Sequence, residues 1–132
     1  MAGSLVNSLR GYALSITRMV VGLTFMSHGL QKVFGMLGGK PVPFASMAGV
    51  GGYLELIGGI LILVGLFARP AAFVLSGEMA VAYFKFHAPK GLWPVVNGGE
   101  LAVVYCFVFL YLTFSGPGPL SLDRILRGKQ KI

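Results

Sequence analysis

The sequence predicts an all-α integral membrane protein, a bundle of four transmembrane helices in a single domain over residues 1–132. The first observation is composition: 55% of the residues are hydrophobic and 11% are charged, whereas soluble domains average about 25% charged residues. The second is that apolar runs near the ~20 residues that a helix needs to cross a bilayer recur four times. Breakers rich in glycine and proline separate these runs.

The first span is predicted over about residues 11–34. Its apolar run contains two basic or imidazole residues, Arg18 and His28. The short polar segment 1–9 before it is predicted to be frayed or interfacial. The glycines and prolines of Gly38–Pro43 break the helical pattern, so the first connection is predicted from about Gly35 to Met47.

Spans two and three are predicted over about 48–67 and 70–88, and the short turn Ala68–Pro70 makes them an antiparallel hairpin. The third span carries Glu78 near its centre. A carboxylate costs several kcal/mol in hydrocarbon and must therefore face protein or water. Small residues along the second span would let helices approach closely. They are Gly51, Gly52, Gly58, Gly59 and Gly65.

The fourth span is predicted over about 97–114, and the basic tail 121–132 is predicted to begin as a short surface helix. Four spans place both termini on one side of the membrane. That side carries more basic residues than the other, so the positive-inside rule predicts cytoplasmic termini in an inner membrane. The formal net charge of +7 is accordingly attributed to topology and to anionic lipids, with no role in nucleic-acid binding.

The predicted topology collects ionisable residues in the outer half of the bundle. At ~1.5 Å rise per residue, three of them lie roughly 5–10 Å below the outer boundary and Glu78 lies roughly 15 Å below it. The candidates for proton handling, and hence for catalysis, are His28, Glu55, Glu78 and Glu100. The candidates for charge balance or anion binding are Arg18, Lys32, Lys85 and His87. Arg18 is expected to pair with a carboxylate, for which Glu78 is the deepest candidate, or to snorkel inwards. Lys85 is expected two turns from Glu78 on the same face.

Four chemistries fit this polar cluster. Bundle interiors do hold metals between carboxylates and histidines, but the Glu-x-x-His pattern of such sites is absent, and no metal site is assigned. Intramembrane acids and histidines also carry protons, here beside a quinone. The basic residues are suited to a small anion. Alternatively, the charges only neutralise one another and hold the helices in register.

The polar residues and glycines together resemble the DoxX family of small four-helix membrane proteins. The resemblance extends from about Arg18 to Leu122. It rests on Arg18 with Gly22–Phe25 and His28–Lys32, Glu55–Gly59 with Gly65–Arg69, Gly77–Ala80 with His87–Gly91, and Asn97–Glu100.

This resemblance implies a four-helix bundle in the bacterial inner membrane. It also implies similarity to the membrane subunit of a thiosulfate:quinone oxidoreductase and to members linked to oxidative-stress complexes. The chain is therefore expected to be a quinone- or reduced-sulfur-linked oxidoreductase subunit, with a partner subunit or a second copy beside it. The sequence has no motif for a covalently bound cofactor. The alternatives are a non-catalytic membrane anchor of a larger complex and, less in keeping with four spans, a small transporter.

Overall fold

The computed structural model of the chain describes residues 1–130, and these fold into helices with no β-strand among them. The all-α prediction is confirmed. The α-helices in order are α1 (Ala2–Phe34), α2 (Met47–Val64), α3 (Ala68–Ala82), α4 (Pro94–Asn97), α5 (Glu100–Ser115) and α6 (Leu122–Gln130). A π-helical turn over Tyr83–His87 and a 3-10 turn over Ala88–Lys90 follow α3 directly. Lys131 and Ile132, the end of the predicted tail, lie outside the described residues.

Helices α1 and α2 run antiparallel and pack against each other through glycines. A Cβ atom at Gly22 of α1 would lie 2.5 Å from the backbone nitrogen of Leu63. One at Gly59 of α2 would lie 2.6 Å from the backbone nitrogen of Met26. No side chain fits at either position, so the close approach of the two helices depends on glycine.

Helices α3 and α5 form a second packed pair, and the hydrophobic core lies between this pair and α1–α2. The ring of Phe25 reaches from α1 to α5, where it meets Tyr105 and Phe109 edge to face, with centroids 5.1 and 4.9 Å apart. This is a favourable arrangement for aromatic pairs. The buried apolar core consists of Phe25, Ile62, Ala72, Leu75, Met79, Ala102, Tyr105, Phe109 and Leu112. Four long helices therefore surround one core.

The helices differ in their bounds from the predicted spans. The first begins at Ala2, so the segment predicted to be frayed or interfacial is part of a continuous helix. The second ends at Val64 rather than at 67, because Gly65 adopts a left-handed conformation with φ of 71° and closes the helix. The third loses its α-helical winding after Ala82. The fourth begins at Glu100, after the separate turn α4.

Large apolar side chains are exposed on the outer faces of all four long helices. Examples are Ile16, Val20 and Leu23 on α1, Ile57 and Ile60 on α2, Phe73, Val74 and Val81 on α3, and Val104, Phe107, Tyr111 and Phe114 on α5. Of the helices within residues 1–130, α2 alone is both long enough and apolar enough to cross a bilayer by length and composition. Helix α5 is also apolar but has 16 residues.

The loop after α5 and the start of α6 close one end of the bundle, here called the tail end. The carboxylate of Asp123 accepts hydrogen bonds from the backbone N–H groups of Phe67 and Ala68, at 2.8 and 2.9 Å. It thereby caps the start of α3, where backbone donors have no partner within the helix. The hydroxyl of Ser15 on α1 accepts a hydrogen bond from the N–H of Leu120 at 3.1 Å, so α1 also holds this loop.

Arg18 is buried at the tail end, with 1% of its surface exposed. Its guanidinium donates to the backbone carbonyls of Pro117, Leu120 and Leu63, the last two at 2.7 and 3.4 Å. The predicted pairing of Arg18 with Glu78 is wrong. Carbonyl oxygens satisfy the charge instead, and two of them come from the loop that folds back over α1.

Candidate functional site

A cavity of about 440 Å³ lies between the four long helices at the opposite end of the bundle, here called the cavity end. Its wall is mostly apolar and includes the rings of Phe25, Phe86 and Tyr105. Small-molecule sites typically have volumes of about 300–1,000 Å³ and a few polar groups in an apolar wall. The acidic, basic and imidazole side chains that line the cavity are His28, Lys32, Glu55, Glu78 and His87.

An ion pair between α1 and α2 forms one part of the wall. The Nζ atom of Lys32 lies 2.7 Å from Oε1 of Glu55. Glu55 is 4% exposed, and its Oε2 atom is buried with no hydrogen-bond partner among the described residues. Gly52 lets the lysine stem lie against α2, because a Cβ there would stand 2.7 Å from Cβ of Lys32. The pair therefore joins the two helices and leaves one carboxylate oxygen without a partner.

Glu78 reaches the cavity from α3. Its Oε2 atom is buried and makes no hydrogen bond to any residue that the structure describes. Its Oε1 atom lies against Gly51 of α2, where an added Cβ would be 3.2 Å away. The charges of Glu55 and Lys32 both act on this carboxyl group. Glycine at position 51 thus provides the space in which a half-buried acid sits between α2 and α3.

His28 and Tyr105 form the wall where α1 meets α5. Their rings are edge to face, with centroids 6.3 Å apart. The hydroxyl of Tyr105 donates to Oγ1 of Thr24 at 2.9 Å, which fixes the phenol ring against α1. The spacing of Tyr105 with Ala102 and Phe109, which places all three on one face of α5, is the signal for burial.

His87 lies at the opposite wall and is held by the loop before α5. Its Nδ1 atom is 3.4 Å from the carbonyl oxygen of Asn97. A Cβ at Gly99 would lie 2.7 Å from Cβ of His87, so glycine is needed for this contact. Asn97 is 4% exposed, donates to the hydroxyl of Tyr83 and the carbonyl of Gly91, and accepts from the N–H of Gly99. In the sequence, Asn97 belongs to a motif of the DoxX resemblance but was given no role at the site, although an asparagine before two glycines is a turn signal.

Comparison with known proteins places these residues in a family. Residues 13–88 match the DoxX family. An uncharacterized protein of Haemophilus influenzae is 46% identical over 121 residues, which cover 86% of this chain and 90% of that protein. The inner membrane protein YqjF of Escherichia coli is 27% identical over 133 residues, covering 94% of this chain and 99% of that protein. CatD of Bacillus subtilis, provisionally named an oxidoreductase, is 30% identical over 126 residues, covering 87% of this chain and 88% of that protein.

The chain belongs to the DoxX family. It is a membrane protein, as its family and the name of its Escherichia coli relative indicate. No solved structure matches the chain. The resemblance to DoxX proteins drawn from the sequence is confirmed. The matched region runs from α1 to the 3-10 turn after α3, and all five charged or imidazole side chains at the cavity lie inside it.

Three of the predicted site residues lie elsewhere in this DoxX protein. Glu100 is exposed at the start of α5 and lines a separate surface groove with Pro94 and Val104. Lys85 is exposed in the π-helical turn. Arg18 lies at the tail end among backbone carbonyls. The functional roles of the five that do line the cavity stay predictions.

The position of Lys85 has a simple geometric cause. A spacing of seven residues puts two side chains on one face only while the helix keeps 3.6 residues per turn. The chain adopts π-helical winding from Tyr83, which takes more residues per turn and rotates the following side chains around the axis. Lys85 is turned outward, whereas His87 reaches the cavity wall.

The three glutamates and His28 do not form a metal-binding set in this structure. Within residues 1–130, no three His, Cys, Asp or Glu side chains lie close enough together to hold a metal ion. The chemistry at this site of the DoxX chain therefore rests on one ion pair, one carboxyl group without a partner and two imidazoles around an apolar space.

Proposed function

We propose that this chain is an inner-membrane DoxX protein with four spans and cytoplasmic termini, and that it serves as the membrane subunit of a redox system. Its cavity binds a quinone ring in the outer half of the bilayer. The electrons come from a partner subunit. The observation that carries this proposal is the cavity itself, an apolar space between four helices with an unpartnered carboxyl group in its wall.

The surface of the bundle supports membrane insertion by all four long helices. Soluble monomers rarely expose contiguous apolar patches of more than a few hundred Å², yet each long helix here exposes large apolar side chains. Helix α5 has apolar residues on all sides, which is typical of a helix buried in protein or lipid. Helices α1 and α2 join at the ion pair and the glycines, and two polar residues of α1 within the bundle, Ser15 and Arg18, are buried.

The composition of the wall favours a quinone over a reduced-sulfur anion. Aromatic and apolar side chains suit the face of a quinone ring. An anion would meet two carboxyl groups, Glu55 and Glu78, and a single lysine that already pairs with one of them. The name of the Bacillus subtilis relative agrees with a redox role, although it says nothing about the substrate.

The cavity residues have separable tasks in quinone reduction, which adds two electrons and two protons to form a quinol. Lys32 is placed to donate a hydrogen bond to a ring oxygen while Glu55 holds its ammonium group in position. Glu78 is the candidate proton donor, because it contacts the cavity and its Oε2 atom has no hydrogen-bond partner among the described residues. His28 and His87 line two other sides of the cavity. They are candidates for returning a proton to Glu78 after it has donated its own.

The test is to purify the protein in mild detergent and to quantify bound quinone per protein by extraction and mass spectrometry. We expect wild type to retain quinone and Glu78→Gln to lose both the quinone and quinol formation in the assembled complex. The matched control is Glu100→Gln, which neutralises an exposed carboxylate at the same end of the bundle. Equal quinone in wild type and Glu78→Gln would exclude the proposed site.

A non-catalytic anchor is the second candidate function, and the Lys32–Glu55 pair favours it. A partly buried ion pair between two helices can have the purely structural role of keeping the helices in register. In that case the cavity would hold no quinone in wild type, and Glu55→Gln would release a partner protein from the complex without altering its chemistry.

A further inference from the structure

A groove on the outer surface of the bundle runs between α2 and α3. It encloses about 530 Å³, and its wall is almost wholly apolar apart from Ser46 and Glu78. The α2 side consists of Val50, Gly51 and Leu54, and the α3 side of Val74, Gly77 and Val81. Val50, Val74 and Val81 are exposed on faces that would meet lipid in the proposed orientation.

The groove and the cavity are neighbours that share part of their lining. Four residues belong to both, Met47 and Gly51 from α2 and Glu78 and Val81 from α3. The carboxyl group of Glu78 lies against Gly51 at the point where the two spaces meet. The half-buried side chain of Glu78, whose Oε2 atom has no partner within residues 1–130, therefore lies between the interior of the bundle and its lipid-facing surface.

Loose packing explains why the surface is open between α2 and α3. Helix α2 packs closely on α1 but loosely on α3. A Cβ at Gly77 would meet no other atom within 4 Å, which marks open space on the surface of α3. A Cβ at Gly22, in contrast, would overlap the backbone of α2. Glycine thus allows α1 and α2 to pack closely, whereas at Gly77 it leaves free space between α2 and α3.

We propose that this groove is the lateral access route by which a membrane-dissolved quinone reaches the cavity, and that it holds the apolar tail while the ring lies inside. This inference rests on the proposed quinone function and adds where the tail lies and how the ring enters. The apolar wall suits an isoprenoid chain, which gains free energy by contact with Val50, Leu54 and Val74. Movement of the Glu78 side chain away from Gly51 opens the route.

The experiment compares two probes that have the same dimethoxy-methyl-benzoquinone ring, one with a long isoprenoid tail and one without a tail. Binding of each is measured on the full chain in lipid nanodiscs. Gly77→Trp fills the groove from a position that has free space. The matched control is Val20→Trp, which places the same side chain on the exposed face of α1, where Val20 is 54% exposed.

We expect Gly77→Trp to weaken binding of the tailed quinone by about tenfold or more and to change binding of the tail-free ring by less than about twofold. Val20→Trp should change neither. If the tail-free ring binds but Gly77→Trp leaves the tailed probe unaffected, the groove proposal fails and the quinone site stands. If neither probe binds wild type, the proposed function fails and the groove proposal fails with it.

A second measurement does not depend on how well a variant folds. A photoreactive group at the end of the tail is activated on the wild-type protein, and the labelled peptides are identified by mass spectrometry. Labels on Val50, Leu54 or Val74 support the groove. Labels confined to the outer face of α5, at Val104 or Phe107, overturn it.

Discussion

Both ends of the bundle bury charged groups, but the two ends differ in how many of those groups' polar atoms have hydrogen-bond partners in the protein. At the tail end Arg18 has three carbonyl partners and Asp123 has two N–H partners, and among the described residues there Nε of Arg18 is the one buried side-chain atom without a partner. At the cavity end one oxygen of Glu55 and one of Glu78 have no partner among the described residues. Burying polar groups unsatisfied is unfavourable. The two ends therefore differ in how completely the described part of the protein satisfies its own buried charged groups.

The largest expected effect on stability comes from Arg18→Leu. This change leaves the buried carbonyls of Pro117, Leu120 and Leu63 without a donor, and we expect a loss of about 3 kcal/mol in the free energy of unfolding. Unfolding by titration with a denaturing detergent measures it. Arg10→Leu is the control, since Arg10 is exposed on the same helix. An equal loss in both variants would show that the carbonyl contacts do not stabilise the tail end.

Asp123→Ala should have a smaller effect of the same kind. It removes the cap from α3, and we expect a loss of about 1 kcal/mol together with faster hydrogen exchange at the amides of Phe67 and Ala68. Arg124→Ala changes an exposed neighbour on α6 and should leave the exchange of both amides unaltered. If those amides exchange at the same rate in Asp123→Ala as in wild type, the cap is not formed in the membrane.

The same comparison shows what can be inferred from the sequence. The helices and the cluster of His28, Glu55 and Glu78 follow from hydropathy and helical rise, because both are local properties of the chain. The partners of Arg18 could not be found in this way, since the carbonyl of Pro117 belongs to a loop 99 residues later in the chain.

Local changes in helical winding and in side-chain direction also could not be inferred from the sequence. The predicted position of Lys85 was wrong because it assumed 3.6 residues per turn, whereas the π-helical turn takes more residues per turn. Glu100 was assigned to the cluster because its predicted depth in the membrane matches that of the other members. Depth alone does not determine the direction in which a side chain points. The first turn of α5 directs it outward.

The smallest expected effect on stability is that of Glu78→Gln, and it separates the two ends most sharply. The Oε2 atom of Glu78 has no partner to lose, so we expect the free energy of unfolding to change by less than about 0.5 kcal/mol while quinone binding disappears. Glu55→Gln is the matched comparison, because it weakens the bond to Lys32 and should cost about 1 kcal/mol, a value limited by the partial exposure of the lysine. Both variants are measured in the same detergent titration. A loss in Glu78→Gln as large as that in Arg18→Leu would mean that the acid is part of the framework, and the contrast between the two ends would no longer hold.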